Sequence, residues 1–422
     1  MEPSANVLVA LADRITKQVA NLSKYLEDSD IGMSDFTVES RERPNTGEFK
    51  TLHSDLTSSL EDLQYLIDGP RAYMRSFICS GNDLAAFQIA FEFGFFNLVP
   101  TDRAIPIAEL AKKAGMDVDR TARVMRMMAT RRTFEEKTPG EFTHTAASLV
   151  FHEDESFRCA GHYMVDEMWK AATATAECVK ASPYESDSSH SPFKTRFGIP
   201  LFEYYAKNPG YAARFAKAMA GATKIDRQVT EVVDGFPWDG IRGTVVDVGG
   251  GSGHLSVSLA RAFPHLSFVV QDNSASMLAQ GKDSGLRDVE GRISWMQHDF
   301  FEPQPLRGVS AFIIRQCLHN WCDRDVVKIL EALVPALEKC DDGTPLLINE
   351  TVLPQPGTIH APEERGLRQM DMLMLVTLGS KQRTKEEYET LLKEADDRYE
   401  IYSLHSTGSM GLLEVHLKVE RS

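Results

Sequence analysis

From residue 243 onward the chain alternates short apolar runs with helical segments, and no other feature limits its fold so strongly. The runs are TVVDV (244–248), LSFVVQ (266–271), RISWMQ (292–297), SAFIIR (310–315) and PLLINE (345–350). Apolar strands separated by helix-length stretches predict an open parallel sheet covered by helices on both faces. EIYSLH (400–405) and LLEVHLKVE (412–420) close the chain. The second alternates cleanly, with Val415, Leu417 and Val419 on one face, which suits an antiparallel strand.

The part before residue 243 reads as helical. Leu8, Leu11, Ile15, Val19, Leu22 and Leu26 recur at the spacing of one helix face over residues 5–26. A polar stretch from 27 to 51 reads as a loop. Three further helices follow between 55 and 133, and FEEKTPGEFTHT predicts a hairpin around Pro139-Gly140. Helices followed by a hairpin suggest a winged-helix arrangement. Arg120, Arg123 and Arg126 on the third of these helices, and Arg132 beyond it, raise the question of DNA. Residues 101–133 carry eight Lys/Arg against four Asp/Glu. The expected organisation is a helical extension over 1–70, a winged-helix-like domain over 71–150, a helical substrate-lining segment over 151–235 and an α/β domain over 236–422.

Composition narrows the function. A net charge of -15 weighs against a nucleic-acid partner, because a nucleic-acid surface needs a basic footprint. No run of 18 apolar residues is present, so no membrane span is expected, and no secretory signal is visible at the N-terminus. The six cysteines (79, 159, 178, 317, 322 and 340) form no CxxC pair, and no Cys/His cluster has zinc-ligand spacing. Free thiols, a cytoplasmic location and no metal are the expectations.

In an open parallel sheet, ligands bind beyond the carboxyl ends of the strands. The first strand runs into Gly249, Gly250, Gly251, Ser252 and Gly253, a loop whose backbone can approach a ligand closely. The second ends at Asp272, 19 residues after Gly253, where an acid commonly accepts hydrogen bonds from ribose hydroxyls. The third ends at Asp299-Phe300, a polar and aromatic pair suited to an adenine ring. The fourth ends at Arg315 and leads to His319, while the fifth delivers Glu350 to the same edge. Such a histidine can act as a general base, with the carboxylate fixing its tautomer. Alone, the glycine loop and acid also fit a nicotinamide dinucleotide, although GGGSG departs from GxGxxG.

The combination VVDVGGGSGHLS resembles the first motif of class I methyltransferases. HDFF, LHNWCDRDVVKIL, INETVLP and GSKQRT, in that order, resemble the plant-type and fungal O-methyltransferases, which include caffeate, isoflavone and sterigmatocystin methyltransferases. The resemblance covers residues from about 80 to 422. It implies a Rossmann-like methyltransferase domain behind a winged-helix-like dimerisation domain, and hence a homodimer. It implies S-adenosylmethionine as co-substrate without a metal, with Gly249, Gly250, Gly251, Asp272, Asp299, Phe300 and Arg315 around it. His319 becomes the base, Glu350 its orienting carboxylate, and Met374 a contact of the aromatic acceptor. Gln382 stands where the family commonly has a second carboxylate, and it is expected to hydrogen-bond the histidine. The implied reaction is methylation of a hydroxyl on a small aromatic, polyketide-type secondary metabolite. The alternative is a pericyclic or dehydration reaction in which the bound donor is not consumed.

Overall fold

The computed structural model describes residues 6–29, 36–40, 42–226, 230–283, 286–406 and 408–418. They divide into two compact units. The first gathers the described residues of Met1–Lys170, Asn208–Ala222 and Ile359–Arg365, and the second those of Ala171–Lys207, Thr223–Thr358 and Gly366–Ser422.

In the first unit, α1 (Val7–Glu27) packs on α2 (Gly47–Glu92). The Asn6 side chain caps α1 and that of Thr46 caps α2, each accepting a hydrogen bond from a first-turn N–H. The helix therefore begins inside the stretch expected to be a loop. α2 runs across residue 70 and bends there, because Gly69 has φ 67° and Pro70 brings no N–H. Of the stripe expected on α1, Leu11 and Leu26 are buried, whereas Leu8 and Val19 stay exposed in the single chain.

Helices α3 (Ile107–Ala114) and α4 (Val118–Thr130) precede a three-stranded sheet of order β1-β3-β2. Its strands are β1 (Ile105–Pro106), β2 (Phe134–Thr138) and β3 (Glu141–His144), with the hairpin turning at Gly140 as expected. Phe95, Phe96, Ile105, Leu110, Met125, Met128, Phe134 and Phe142 form the core of this region. Three of the basic residues here are engaged within the fold. Arg126 pairs with Glu136 at 2.9 Å, Arg131 with Asp83, and Arg132 stacks 4.3 Å over the Phe36 ring.

The second unit is built on a sheet of order β10-β11-β8-β7-β4-β5-β6. The strands are β4 (Gly243–Val248), β5 (Leu266–Asp272), β6 (Ile293–Gln297), β7 (Ala311–Arg315), β8 (Leu346–Leu353), β10 (Tyr399–Ser406) and β11 (Gly408–Leu417). A short β9 (Arg383–Thr384) adds parallel to the end of β8. β4 to β8 pair in parallel, and β11 is antiparallel to both β8 and β10. Val419 lies outside the described residues, but Val415 and Leu417 are buried as expected.

Alternation along each strand feeds two cores. Val246, Val248, Phe312, Ile314 and Ile348 pack with α5 (Asp323–Leu337) and α6 (Lys385–Ala395) on one face. Val245, Ala311, Ile313 and Leu347 join Trp238, Leu255 and Leu259 on the other. Two buried faces explain the nearly continuous apolar runs that made the strands legible. All six cysteines are free thiols. Among the described residues, no helix is long and apolar enough to cross a membrane.

Candidate active site

β4 and β7 are neighbours, with β5 beyond one and β8 beyond the other. This is the switch point at whose carboxyl edge an open sheet holds its ligand. β4 runs straight into the glycine loop. Gly249 has φ 72°, and a Cβ there would sit 3.3 Å from Cys317 Sγ and 3.4 Å from the Phe300 ring. At Gly250 a Cβ would come within 2.5 Å of Asp247 Cγ. Asp247, sealed beneath the loop, accepts a hydrogen bond from Ser256 Oγ at 2.7 Å. Burial pushes its carboxyl up to about 6, against the pull of the Ser256 bond and the Arg315 charge.

Asp272, at the end of β5, braces the loop from the side. Its Oδ2 accepts the Gly251 N–H at 3.0 Å, and its Oδ1 accepts the Ser274 N–H at 2.7 Å. Each oxygen keeps a lone pair, so the carboxylate can still receive two hydroxyls. Beyond β6, Asp299 Oδ1 accepts the Phe301 N–H at 3.1 Å. Phe300 meets Trp321 edge-on at 5.7 Å, and Phe301 meets the same indole at 4.8 Å. Gly249, Gly250, Gly251, Asp272, Phe300 and Arg315 thus converge on one edge. A loop with positive φ at Gly249 and Gly251 and no room for a Cβ at Gly250, an open carboxylate and an aromatic wall together fit a nucleotide-bearing cofactor.

Immediately after β7, Gln316 takes φ 49°, a conformation that is rare for residues other than glycine. That kink turns the chain out of the strand into a single 3₁₀ turn, Leu318–Asn320. Glu350 on β8 grips this turn. Its Oε1 accepts the N–H groups of Cys317 and Leu318, both at 2.6 Å, and its Oε2 lies 2.5 Å from His319 Nδ1. Glu350 is fully buried, and burial alone would raise its carboxyl pKa. The His319 charge, the hydrogen bond to that ring and the two backbone donors outweigh burial and hold it below its ordinary value. With Nδ1 so occupied, Nε2 is the ring atom left without a protein partner among the described residues. Burial, and next the Glu350 charge, push the neighbouring Cys317 thiol far up, so it stays protonated.

A second segment, 380–383, closes on the same turn. Ser380 Oγ donates to the His319 carbonyl at 2.6 Å, and the Ser380 N–H donates to the Met374 carbonyl at 3.3 Å. Met374 is buried beside it. The bond expected from Gln382 to the histidine is absent. Glu350 already fills Nδ1, and both atoms of the buried Gln382 amide lack a protein partner, while its backbone N–H donates to Asp371 at 2.8 Å. Sequence reasoning passed over Ser380, Arg383 and Trp321, whose roles run through backbone carbonyls and ring edges. Among the described residues, no group of three His, Cys, Asp or Glu side chains could hold a metal ion.

Residues 179–397 match the O-methyltransferase domain family. The chain is 61% identical over 416 residues to O-methyltransferase sol2 of Alternaria solani, covering 99% of this chain and 96% of that one. It is 29% identical to chlorophenol O-methyltransferase of Trichoderma longibrachiatum, covering 93% and 86% of the two chains. Among solved structures, that of OxaC in complex with SAH and oxaline superposes with a TM-score of 0.76 at 22% identity, covering 97% and 99%.

Proposed function

The chain belongs to the O-methyltransferase family, with S-adenosylmethionine as methyl donor, and from that premise we propose that it methylates a phenolic hydroxyl of a small aromatic secondary metabolite, with His319 as general base. The observation that carries this reading is the free Nε2 of His319, held from behind by a buried carboxylate. The relative named for chlorophenols supports a phenol as acceptor.

A phenol ordinarily titrates near ~10, so forming phenolate at neutral pH costs about 4 kcal/mol, some 3 pK units at ~1.36 kcal/mol each. An imidazole that takes the proton as attack proceeds removes much of that cost, worth about 10²–10⁴ in rate. Glu350 keeps the Nδ1–H tautomer, which leaves Nε2 to accept the hydroxyl proton, and stabilises the imidazolium formed. The donor would rest on the glycine loop, with its ribose on Asp272 and its adenine near Asp299 and Phe300. Once bound it supplies an already activated methyl group, so the remaining work of the protein is alignment. Met374 and the unpartnered Gln382 amide are the side chains offered to the acceptor.

Incubating the purified chain with S-adenosylmethionine and a panel of phenols should yield a methyl ether and an equal amount of S-adenosylhomocysteine. Substrate turnover without release of S-adenosylhomocysteine would replace methyl transfer with a reaction that leaves the donor intact.

The working unit is a homodimer in this reading. Tyr65, Leu66, Ile67, Met74, Phe77 and Ile78 crowd the bend of α2 as exposed apolar side chains, Phe77 at 69% and Ile78 at 72%. A patch of that kind on a single chain marks an interaction surface. Light scattering should give twice the chain mass, and the Phe77→Glu/Ile78→Glu pair should give monomers. A wild-type monomer at micromolar concentration would end the dimer proposal.

A further inference from the structure

Arg383 is fully buried, and all five of its N–H groups are used. Nη1 donates to the carbonyls of Leu318 (3.1 Å) and Lys381 (3.3 Å). Nη2 donates to the Trp321 carbonyl and to Asp323 Oδ1, both at 2.8 Å, and Nε donates to the same Asp323 oxygen at 2.9 Å. Asp323, at the N-terminus of α5, also pairs with Lys381 at 3.0 Å. Burial raises the Asp323 carboxyl, but the Arg383 charge and these bonds outweigh it, so the acid stays ionised. A guanidinium without partners would be costly at such a site.

Two of the three carbonyls that Arg383 holds, those of Leu318 and Trp321, flank His319 in sequence. Ser380 holds the carbonyl of His319 itself. Glu350 holds the N–H groups of Cys317 and Leu318 from the other side. Both grips come from neighbouring parallel strands, since Arg383 pairs with Val352, two residues beyond Glu350 on β8. The 3₁₀ turn is thus clamped by its donors and by its acceptors at once.

We propose that Arg383 is a positioning residue for the reaction, fixing the direction of His319 Nε2 by clamping the carbonyls of Leu318 and Trp321. The inference rests on the reading of His319 as base. Arg383 touches neither donor nor acceptor in this scheme. Its loss therefore acts on the proton-transfer step and leaves binding alone. Lysine offers three donors from a single point and restores only part of the fork.

The test compares Arg383→Met, Arg383→Lys and His319→Ala in the full chain by circular dichroism, donor affinity, acceptor KM and the pH profile of kcat. Arg383→Met is expected to lower kcat at least tenfold and shift the pH inflection, with donor affinity and KM within about twofold. Arg383→Lys should recover part of the loss. A folded Arg383→Met enzyme with wild-type kcat and a superimposable pH profile would overturn the proposal, as would a loss confined to KM. If Arg383→Met does not fold, Arg383→Lys and Ser380→Ala decide on the same readouts. Wild-type turnover in His319→Ala would instead overturn the base reading, whatever Arg383 does.

Discussion

His319→Ala should turn over about 10²–10⁴-fold more slowly than the wild type, with donor affinity unchanged. The loss follows from the roughly 4 kcal/mol needed to strip a phenol of its proton at neutral pH, which alignment alone does not supply. Donor affinity should survive, because the glycine loop and Asp272 are braced by one another and not by the histidine. Deleting the ring also strands Glu350 Oε2, whose depressed pKa owes most of its lowering to His319. His319→Gln is the control for that effect, since its amide can still donate to the carboxylate while lacking a base at Nε2. Both variants should bind donor with wild-type affinity in calorimetry and form almost no methyl ether. Wild-type-like product formation in either would remove the histidine from the chemistry.

The residues behind that prediction were visible in the sequence for a geometric reason. Parallel strands bring their carboxyl ends to one edge, so reading the residues at and just after 248, 272, 299, 315 and 350 amounts to reading the candidate site. The apolar runs were conspicuous because β4, β7 and β8 are buried on both faces. Arg383 was silent for the opposite reason. Its partners are mainly carbonyls, which every residue carries, and no spacing announces them. Gln382 was given a bond to the ring that the structure does not contain: Glu350 fills Nδ1, and the Gln382 amide makes no bond to Nε2 either, a matter of side-chain direction that a one-dimensional motif does not record. In the first unit, the polar stretch after α1 looked like loop up to residue 51. Nothing in its composition favours a helix at Gly47, but the Thr46 cap starts one there.

Glu350→Gln should cost about 10²–10⁴ in kcat, although the side chain keeps its shape. Three donors converge on the carboxylate: the N–H groups of Cys317 and Leu318 on Oε1, and His319 Nδ1 on Oε2. An amide satisfies the two backbone groups only by turning its oxygen to them, which points its NH₂ at Nδ1. The ring must then accept at Nδ1 and carry its proton on Nε2, the tautomer that has no lone pair left for the phenol. Stability should fall as well, by about 1 kcal/mol or more, because the contacts are kept but lose their charge assistance. The pH dependence has a definite sign. A carboxyl held below its ordinary 4.5 stabilises the folded state at every pH above 4.5, and that contribution is lost as pH falls through the lowered folded value. Denaturation midpoints of wild type and Glu350→Gln should therefore stay apart from neutral pH down to about 4.5, and converge only in stronger acid. Midpoints that converge already near neutrality would show that the carboxyl is not held ionised by its three donors. Undiminished turnover in the amide variant would show that the tautomer of His319 does not matter to the reaction.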